Sequence, residues 1–386
     1  MRPAELPEPD PQAAAASAAL RARIDALVDA ASGWIGFDRY MHEALYAPGL
    51  GYYTGGAHKF GAGGDFVTAP ESSPLFAACV AAQCLQWFER ADPCVVEFGA
   101  GSGALAAQLL AEFGRAGVDR VGYRIVEVSG ELRARQRETI ARAAPGADVQ
   151  WLDAWPERIE GVVLGNELLD AMPARAFRLR DGECLERGVV RHGAALAWGE
   201  RPADARLDAA VRARAHGAGW PRDYASEIGE QAQAWVSEAA RRIGRGALLL
   251  VDYGFPAREF YHPQRDGGTL MCHYRHRAHG DPFVLPGLQD ITVHVDFSAV
   301  ARAAGGEGMD LLGYTSQANF LLNLGLLDRL AAIADPRDPA FARYAQGVQR
   351  LLSEAEMGEL FKVIAFGRGI GEHADGFAHG DRSAAL

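Results

Sequence analysis

The stretch Val95-Val96-Glu97-Phe98-Gly99-Ala100-Gly101-Ser102-Gly103 constrains this 386-residue chain more than any other. A short apolar run ends in an acid and three alternating glycines, and Ala104–Phe113 then carries apolar residues at helical spacing. A strand that turns through glycines into a helix brings backbone N–H groups close to a ligand, with no Cβ in the way. The dinucleotide fingerprint reads G-x-G-x-x-G. Here the spacing is G-x-G-x-G, and Glu97 stands two positions before the first glycine. An acid there would repel a pyrophosphate, but it suits a ligand with an ammonium and a sulfonium group. S-adenosylmethionine (SAM) is such a ligand. The bland alternative is an ordinary tight strand–helix turn.

Strand and helix signals alternate around this turn. After Cys94–Phe98, strands are expected at Tyr123–Val128, Val149–Leu152, Val162–Gly165 and Ala247–Val251, with a late one at Val363–Phe366. Helices are expected at Ala19–Ala31 (stopped by Gly33), Ser72–Arg90, Ala104–Phe113 and Leu132–Arg142. Short apolar strands separated by helices imply an α/β fold with a mostly parallel sheet covered on both faces. About 80 residues separate the fourth strand from the fifth, more than a simple crossover needs. The expected organisation is a disordered leader at 1–18, an N-terminal helical and loop extension at 19–92, and a core at 93–174 and 225–370. An inserted lobe at 175–224, a second insertion at 254–297 and a flexible tail at 371–386 complete it.

Composition narrows the class. Lys+Arg number 39 against 50 Asp+Glu, a net charge of −11, which argues against a surface that wraps nucleic acid. Lys59 and Lys362 are the only lysines, a bias read as compositional. Five cysteines with no C-x-x-C pair fit a reducing compartment better than a disulfide framework or a thiolate zinc site. The N-terminus carries Glu5, Glu8 and Asp10 and no apolar core segment, so it reads as neither a secretory signal nor a transit peptide. The longest uncharged run, Ser72–Phe88, is too short and polar to span a bilayer. These features together point to a cytoplasmic protein.

Further candidates lie at strand ends, where open α/β sheets bind ligands. Glu127, followed by Val128, ends the second strand and could accept hydrogen bonds from two ribose hydroxyls; a solvated strand-end carboxylate is the other reading. Asp153 follows the third strand and is either a contact for the adenine amino group or a helix N-cap before Pro156. The fourth strand runs into Gly165-Asn166-Glu167-Leu168-Leu169-Asp170-Ala171-Met172-Pro173. Glu167 and Asp170 share a face if this turn is helical. Two carboxylates there could neutralise a guanidinium, fix its plane and help remove a proton. The alternative leaves Asp170 as a cap and Glu167 solvated. Asp65, Phe66 and Thr68, in Gly63-Gly64-Asp65-Phe66-Val67-Thr68-Ala69-Pro70-Glu71, serve either loop capping or cofactor contact. His273, His276 and His279 recur every three residues beside Cys272, but intervening arginines spoil a metal site. Gln289–Phe297 alternates like a strand with Thr292, His294 and Asp296 on one face, as a structural network or an acceptor-site wall.

Taken together these segments resemble the MidA family of class I SAM-dependent methyltransferases, which includes a mitochondrial complex I assembly factor with protein arginine methyltransferase activity. The likeness spans residues 34–368. It is carried by Phe37-Asp38-Arg39-Tyr40-Met41, Leu45-Tyr46 with Pro48, Gly51-Tyr52-Tyr53, the Gly64–Glu71 loop and the Glu97–Gly103 turn. It continues through Asn166–Pro173, Gly287-Leu288-Gln289-Asp290-Ile291-Thr292 and Phe361-Lys362-Val363. The resemblance implies a Rossmann-like, seven-stranded core with an added lobe. It also implies SAM at Glu97, Gly99, Gly101, Ser102 and Gly103, with Glu127, Asp65 and Phe66 nearby, and a protein arginine acceptor, in some members on a complex I subunit. The family loop reads Thr-Ser-Pro-Glu where this chain has Thr68-Ala69-Pro70-Glu71. Two rival classes are an assembly chaperone with a vestigial or regulatory SAM site and a nicotinamide-dependent oxidoreductase, the latter disfavoured by the glycine spacing.

Overall fold

A computed structural model describes residues 6–55, 68–118, 120–333, 337 and 339–386. They form two compact bodies. One comprises Val67–Leu169, Ala234–Gly254 and Phe297–Leu386 as far as they are described. Its sheet is built from β1 (Cys94–Phe98), β2 (Gly122–Val126), β3 (Val149–Leu152), β4 (Ile159–Asn166), β5 (Ile243–Phe255), β6 (Asp310–Ser316) and β7 (Phe361–Arg368). The spatial order is β3-β2-β1-β4-β5-β7-β6. The first five strands pair in parallel, and β7 lies antiparallel to both β5 and β6. Every residue of β1 is buried, as expected of a strand covered on both faces.

The strand order reverses between β1 and β4. That switch point is where open α/β sheets open a crevice for ligands. The register sharpens the picture: Leu152, Val126, Phe98, Gly165 and Leu250 stand in one row across the carboxyl ends of β3, β2, β1, β4 and β5. Asp153, Glu127, Gly99, Asn166, Glu167 and Asp252 all come one or two residues past that row.

Local chemistry fixes the flanking helices. Ser73 caps Pro74–Phe88 by accepting from the Leu75 N–H, with Pro74 at the first helical position. That helix buries Leu75, Phe76, Cys79, Val80, Cys84 and Trp87 against the core of its body. Ser129 caps Gly130–Ala143 through the Leu132 N–H, with Glu131 in the first turn and Arg142 in the last.

The other body gathers the described residues within Met1–Phe66 with Asp170–Gln233 and Phe255–Asp296. Its main sheet runs Ile35–Gly36, Glu183–His192, Arg175–Arg180, Asp223–Ile228, with Ala195–Pro202 also paired to Glu183–His192. All these pairings are antiparallel. Leu20, Ile24, Phe37, Tyr40, Met41, Phe177, Val189 and Tyr224 form its core. The N-terminal segment, the lobe and the second insertion are therefore one unit built from three stretches of chain, where the sequence suggested separate elaborations. The boundary expected at residue 92 also moves, because Pro74–Phe88 belongs with the core sheet.

Four further expectations are corrected. The leader is helical from Pro11, because Asp10 accepts from the Ala13 N–H as N-cap and alanine is the best helix former. The tail beyond residue 370 is tied down rather than loose. The Gly376 N–H donates to Gln83 Oε1 at 2.8 Å, Phe377 is buried, and Arg382 grips Glu359 with both terminal nitrogens. The sequence reading also missed β6, whose apolar residues are interrupted by Gly313. Gln289–Phe297, finally, is no continuous strand. Asp290–Thr292 and Val295–Asp296 are separated where the Val293 N–H donates to the Asp170 carbonyl and the His294 N–H to Thr269 Oγ1.

The histidine spacing has a plain cause. Met271–Tyr274 and Arg277–His279 form a hairpin, turned by Arg275 and His276 at φ 46° and 61°. Among the described residues no group of three or more His, Cys, Asp or Glu could hold a metal ion. No helix among them is long and apolar enough to cross a membrane.

Candidate functional site

The glycine turn at the end of β1 has φ values of 68°, 51° and 79° at Gly99, Gly101 and Gly103. These are left-handed conformations that side chains resist. Gly103 answers a second demand, since a Cβ there would sit 3.0 Å from Gln136 Cα. Gly103 also starts the Ala104–Arg115 helix, with no side chain capping it. The helix N-terminus thus presents backbone N–H groups that no side-chain cap satisfies.

Glu97 does not project beyond the strand. It is 2% exposed, and its carboxylate accepts from Tyr123 Oη of β2 at 2.8 Å. Burial pushes its pKa up to about 7, against the opposing effect of the Tyr123 hydrogen bond. Ser102 Oγ donates to Glu71 Oε1 at 3.0 Å, and Gln108 Nε2 donates to the Pro70 carbonyl at 3.0 Å. The short Ala69–Ser72 helix is thereby fastened to the glycine turn.

At the end of β2 the Glu127 carboxylate accepts from the Ser129 N–H at 2.8 Å and from Gln136 Nε2 at 3.2 Å. Burial raises its pKa, while these two donors and Arg133 favour the charged form. Val128 beside it is 77% exposed, leaving an apolar surface next to a carboxylate. Asp153 is no helix cap. Its side chain is 87% exposed and pairs with Arg133 Nη2 at 2.6 Å. Arg133 also donates to the Glu127 and Leu152 carbonyls, tying the ends of β2 and β3 together.

Past β4 the backbone departs from the helical turn that would have aligned Glu167 with Asp170. Glu167 adopts φ 51°, its N–H donates to the Val251 carbonyl, and the Leu168 and Leu169 N–H groups donate to Asp252 Oδ2. A non-glycine residue held there signals strain that the surroundings impose. Asn166 Nδ2 donates to Glu167 Oε1 at 3.0 Å. Burial, with Asp252 and Glu71 adding repulsion, pushes the Glu167 pKa up to about 8. Asp170 lies in the other body, also buried, and its charge together with that of Asp290 holds the Tyr46 and Tyr53 phenols up beyond the effect of burial.

Asp252 is a site residue that sequence reasoning missed, although a signal existed. It directly follows the apolar run Ala247–Val251, so the strand-end rule that found Glu127 and Glu167 points to it equally. Gln136 and Arg133 were missed for lack of any motif. Thr68 precedes Ala69–Ser72 at its N-cap position without a side-chain cap bond. Asp65 and Phe66 lie outside the described residues.

The residues present suit a ligand such as SAM. Asn166 Oδ1 and Glu71 Oε2 are buried and accept from no donor among the described residues. Acceptor oxygens left so call for a ligand rich in N–H or O–H donors. The strand order, the switch point and the acid-led glycine turn define a class I methyltransferase core.

The chain belongs to a family described as "Putative S-adenosyl-L-methionine-dependent methyltransferase", whose model it matches over residues 79–315. It is 54% identical to a COG1565 superfamily protein from Burkholderia thailandensis whose crystal structure is bound to S-adenosyl-homocysteine. The TM-score is 0.94, over 99% of this chain and 100% of that one. It is 28% identical over 378 residues to the protein arginine methyltransferase NDUFAF7 of Danio rerio mitochondria, covering 87% of this chain and 84% of that protein. The Drosophila melanogaster homolog is 29% identical over 401 residues, covering 95% and 89%.

Proposed function

We propose that this chain transfers a methyl group from SAM to an arginine side chain of a protein acceptor. The observation that carries this reading is Glu167, a strained, half-buried residue whose carboxyl is desolvated beside the switch point. Its proton affinity near neutrality is what proton removal from an acceptor requires. The name carried by the mitochondrial relatives supports arginine as the acceptor. The family likeness further suggests a complex I subunit as the acceptor protein, and the relative from Burkholderia a bacterial setting.

Bound SAM supplies an activated methyl group on a sulfonium, so the protein contributes mainly proximity and orientation. Glu127 would hold the ribose hydroxyls and the exposed Val128 would pack on the adenine, with Asp153 at its rim. The Gly99–Gly103 turn and the uncapped helix end would receive the carboxylate, leaving Asn166, Ser102, Thr68 and Glu71 to hold the amino end. Glu97, bonded to Tyr123, would supply negative potential behind the turn. A guanidinium has no free lone pair while protonated. Glu167 would accept its proton as the new N–C bond forms, leaving S-adenosylhomocysteine. A neighbouring guanidinium favours the charged form of Glu167, so the acceptor itself would ready the base.

Calorimetric titration with S-adenosylhomocysteine, followed by incubation of lysate with methyl-labelled SAM, tests the reading. Binding together with label recovered as methylarginine supports it. Absence of binding, or label confined to another residue type, overturns it.

A further inference from the structure

Gln136 lies on the buried face of Gly130–Ala143 at 0% exposure, and one amide group reaches three separate elements. Its Oε1 accepts from Trp151 Nε1 of β3 at 2.9 Å. Its Nε2 donates to the Gly101 carbonyl in the glycine turn at 3.2 Å and to Glu127 Oε2 at 3.2 Å. The orientation of the amide is fixed by chemistry. An indole N–H only donates, so Oε1 must face Trp151, and both amide hydrogens are then directed at Gly101 and Glu127. Trp151 is itself held in place by the Arg137 guanidinium, 4.7 Å from its ring centroid.

From this geometry we infer that Gln136 is a positioning residue for cofactor binding. It sets the rotamer and charged state of Glu127 and, through the same nitrogen, locks the glycine turn to the end of β2. The inference rests on the cofactor reading above and adds a residue outside any ligand contact. Glu127 Oε1 is already committed to the Ser129 N–H. A second donor on Oε2 stops the carboxylate from rotating and leaves its outward lone pairs aimed at a vicinal diol. Other groups cannot take over this task. Arg133 donates through Nε to the Glu127 carbonyl and through Nη2 to Leu152 and Asp153, and none of these bonds reaches the Glu127 carboxylate. Gly103 permits the arrangement, since any larger residue would push the helix bearing Gln136 away from the turn.

Two variants separate positioning from bulk packing. Gln136→Met keeps the length and removes the donors. Gln136→Glu keeps the shape but, facing a carboxylate and a carbonyl, must be protonated to donate. The groups around that carboxylate pair are Arg133, the Ser129 and Val128 N–H groups and, through Arg133, Asp153. The measurement is calorimetric titration with S-adenosylhomocysteine for wild type, both variants, Glu127→Ala, and Glu127→Ala combined with Gln136→Met. Gln136→Met should weaken binding about tenfold in the wild-type background, the loss of one hydrogen bond to a charged group, yet by less than about threefold once Glu127 is gone. Gln136→Glu should bind at least about tenfold more weakly at about pH 8.5 than at about pH 6, beyond any change the wild type shows over the same range. Equal weakening by Gln136→Met in both backgrounds, or a flat pH profile for Gln136→Glu, overturns the inference. Should Gln136→Met fail to fold, the Gln136→Glu profile decides alone. A wild type that binds no S-adenosylhomocysteine is a different result. It overturns the cofactor reading, and the inference with it.

Discussion

Glu127 and Glu167 both stand just past the carboxyl ends of parallel strands in one sheet, yet their surroundings treat them differently. At the end of β2 the carboxylate has a donor on each oxygen, with Arg133 nearby favouring its charge. At the end of β4 it has the Asn166 amide and the Ala69 N–H in its favour, while burial and the charges of Asp252 and Glu71 push its pKa up to about 8. Burial pushes both upward, but the first is held by a donor on each oxygen while the second has the like charges of Asp252 and Glu71 beside it. On the proposed function, one secondary-structure context would serve both a binding group and a reacting group, with the neighbours deciding which.

The comparison can be broken most sharply through turnover. Glu167→Gln should lower methyl transfer about 10²- to 10⁴-fold while leaving S-adenosylhomocysteine affinity nearly unchanged. An affinity loss of the same size would make Glu167 a binding residue and erase the contrast. Next in size, Glu127→Ala should weaken S-adenosylhomocysteine about 10²-fold by calorimetry, the loss of two charge-assisted hydrogen bonds. Retained affinity would show that the diol is held elsewhere.

A stability measurement sharpens the difference. A desolvated carboxyl with folded pKa about 8 against 4.5 unfolded binds more protons in the native state, so it costs stability as pH rises between those values. Relative to wild type, Glu167→Gln should gain on the order of 2 kcal/mol in unfolding free energy at high pH and almost nothing near pH 4.5. Equal urea midpoint shifts at both pH values would refute this account. Smallest of all, Asp153→Asn should change ligand affinity by less than about twofold, because an 87% exposed carboxylate in an ion pair contributes little. A large loss would move Asp153 into the group occupied by Glu127.

The core sheet was largely legible in the sequence, and the reason is local. β1, β3 and the Ala247–Val251 part of β5 are compact apolar runs, and the glycine turn carries its own conformational demand. The strand-end rule then delivered Glu127 and Glu167 without further information. What stayed hidden depends on partners distant in sequence. Nothing near Gln136 announces Gly101 and Trp151, and nothing in residues 371–386 announces that Gly376 will meet Gln83. The helical turn on which pairing Glu167 with Asp170 depended is absent for a similar reason. Asp252, some eighty residues on, takes the Leu168 and Leu169 N–H groups and bends the chain another way.

The lobe sheet draws its edge strand from near the start of the chain, pairing Ile35 with Val189 and Gly36 with Gly188. On a ribosome this is an awkward order of events. Leu20, Ile24, Phe37 and Met41, all buried in the finished body, leave the exit tunnel long before their partners Phe177, Val189 and Tyr224 are made. The nascent N-terminal helices must wait through the synthesis of β1 to β4 with their apolar faces exposed. Long-range pairing of this kind slows folding and invites capture by holdase chaperones. The glycine turn, by contrast, can form with its own strand and helix as soon as they emerge, although the sheet around it stays unfinished until β5, β6 and β7 are made.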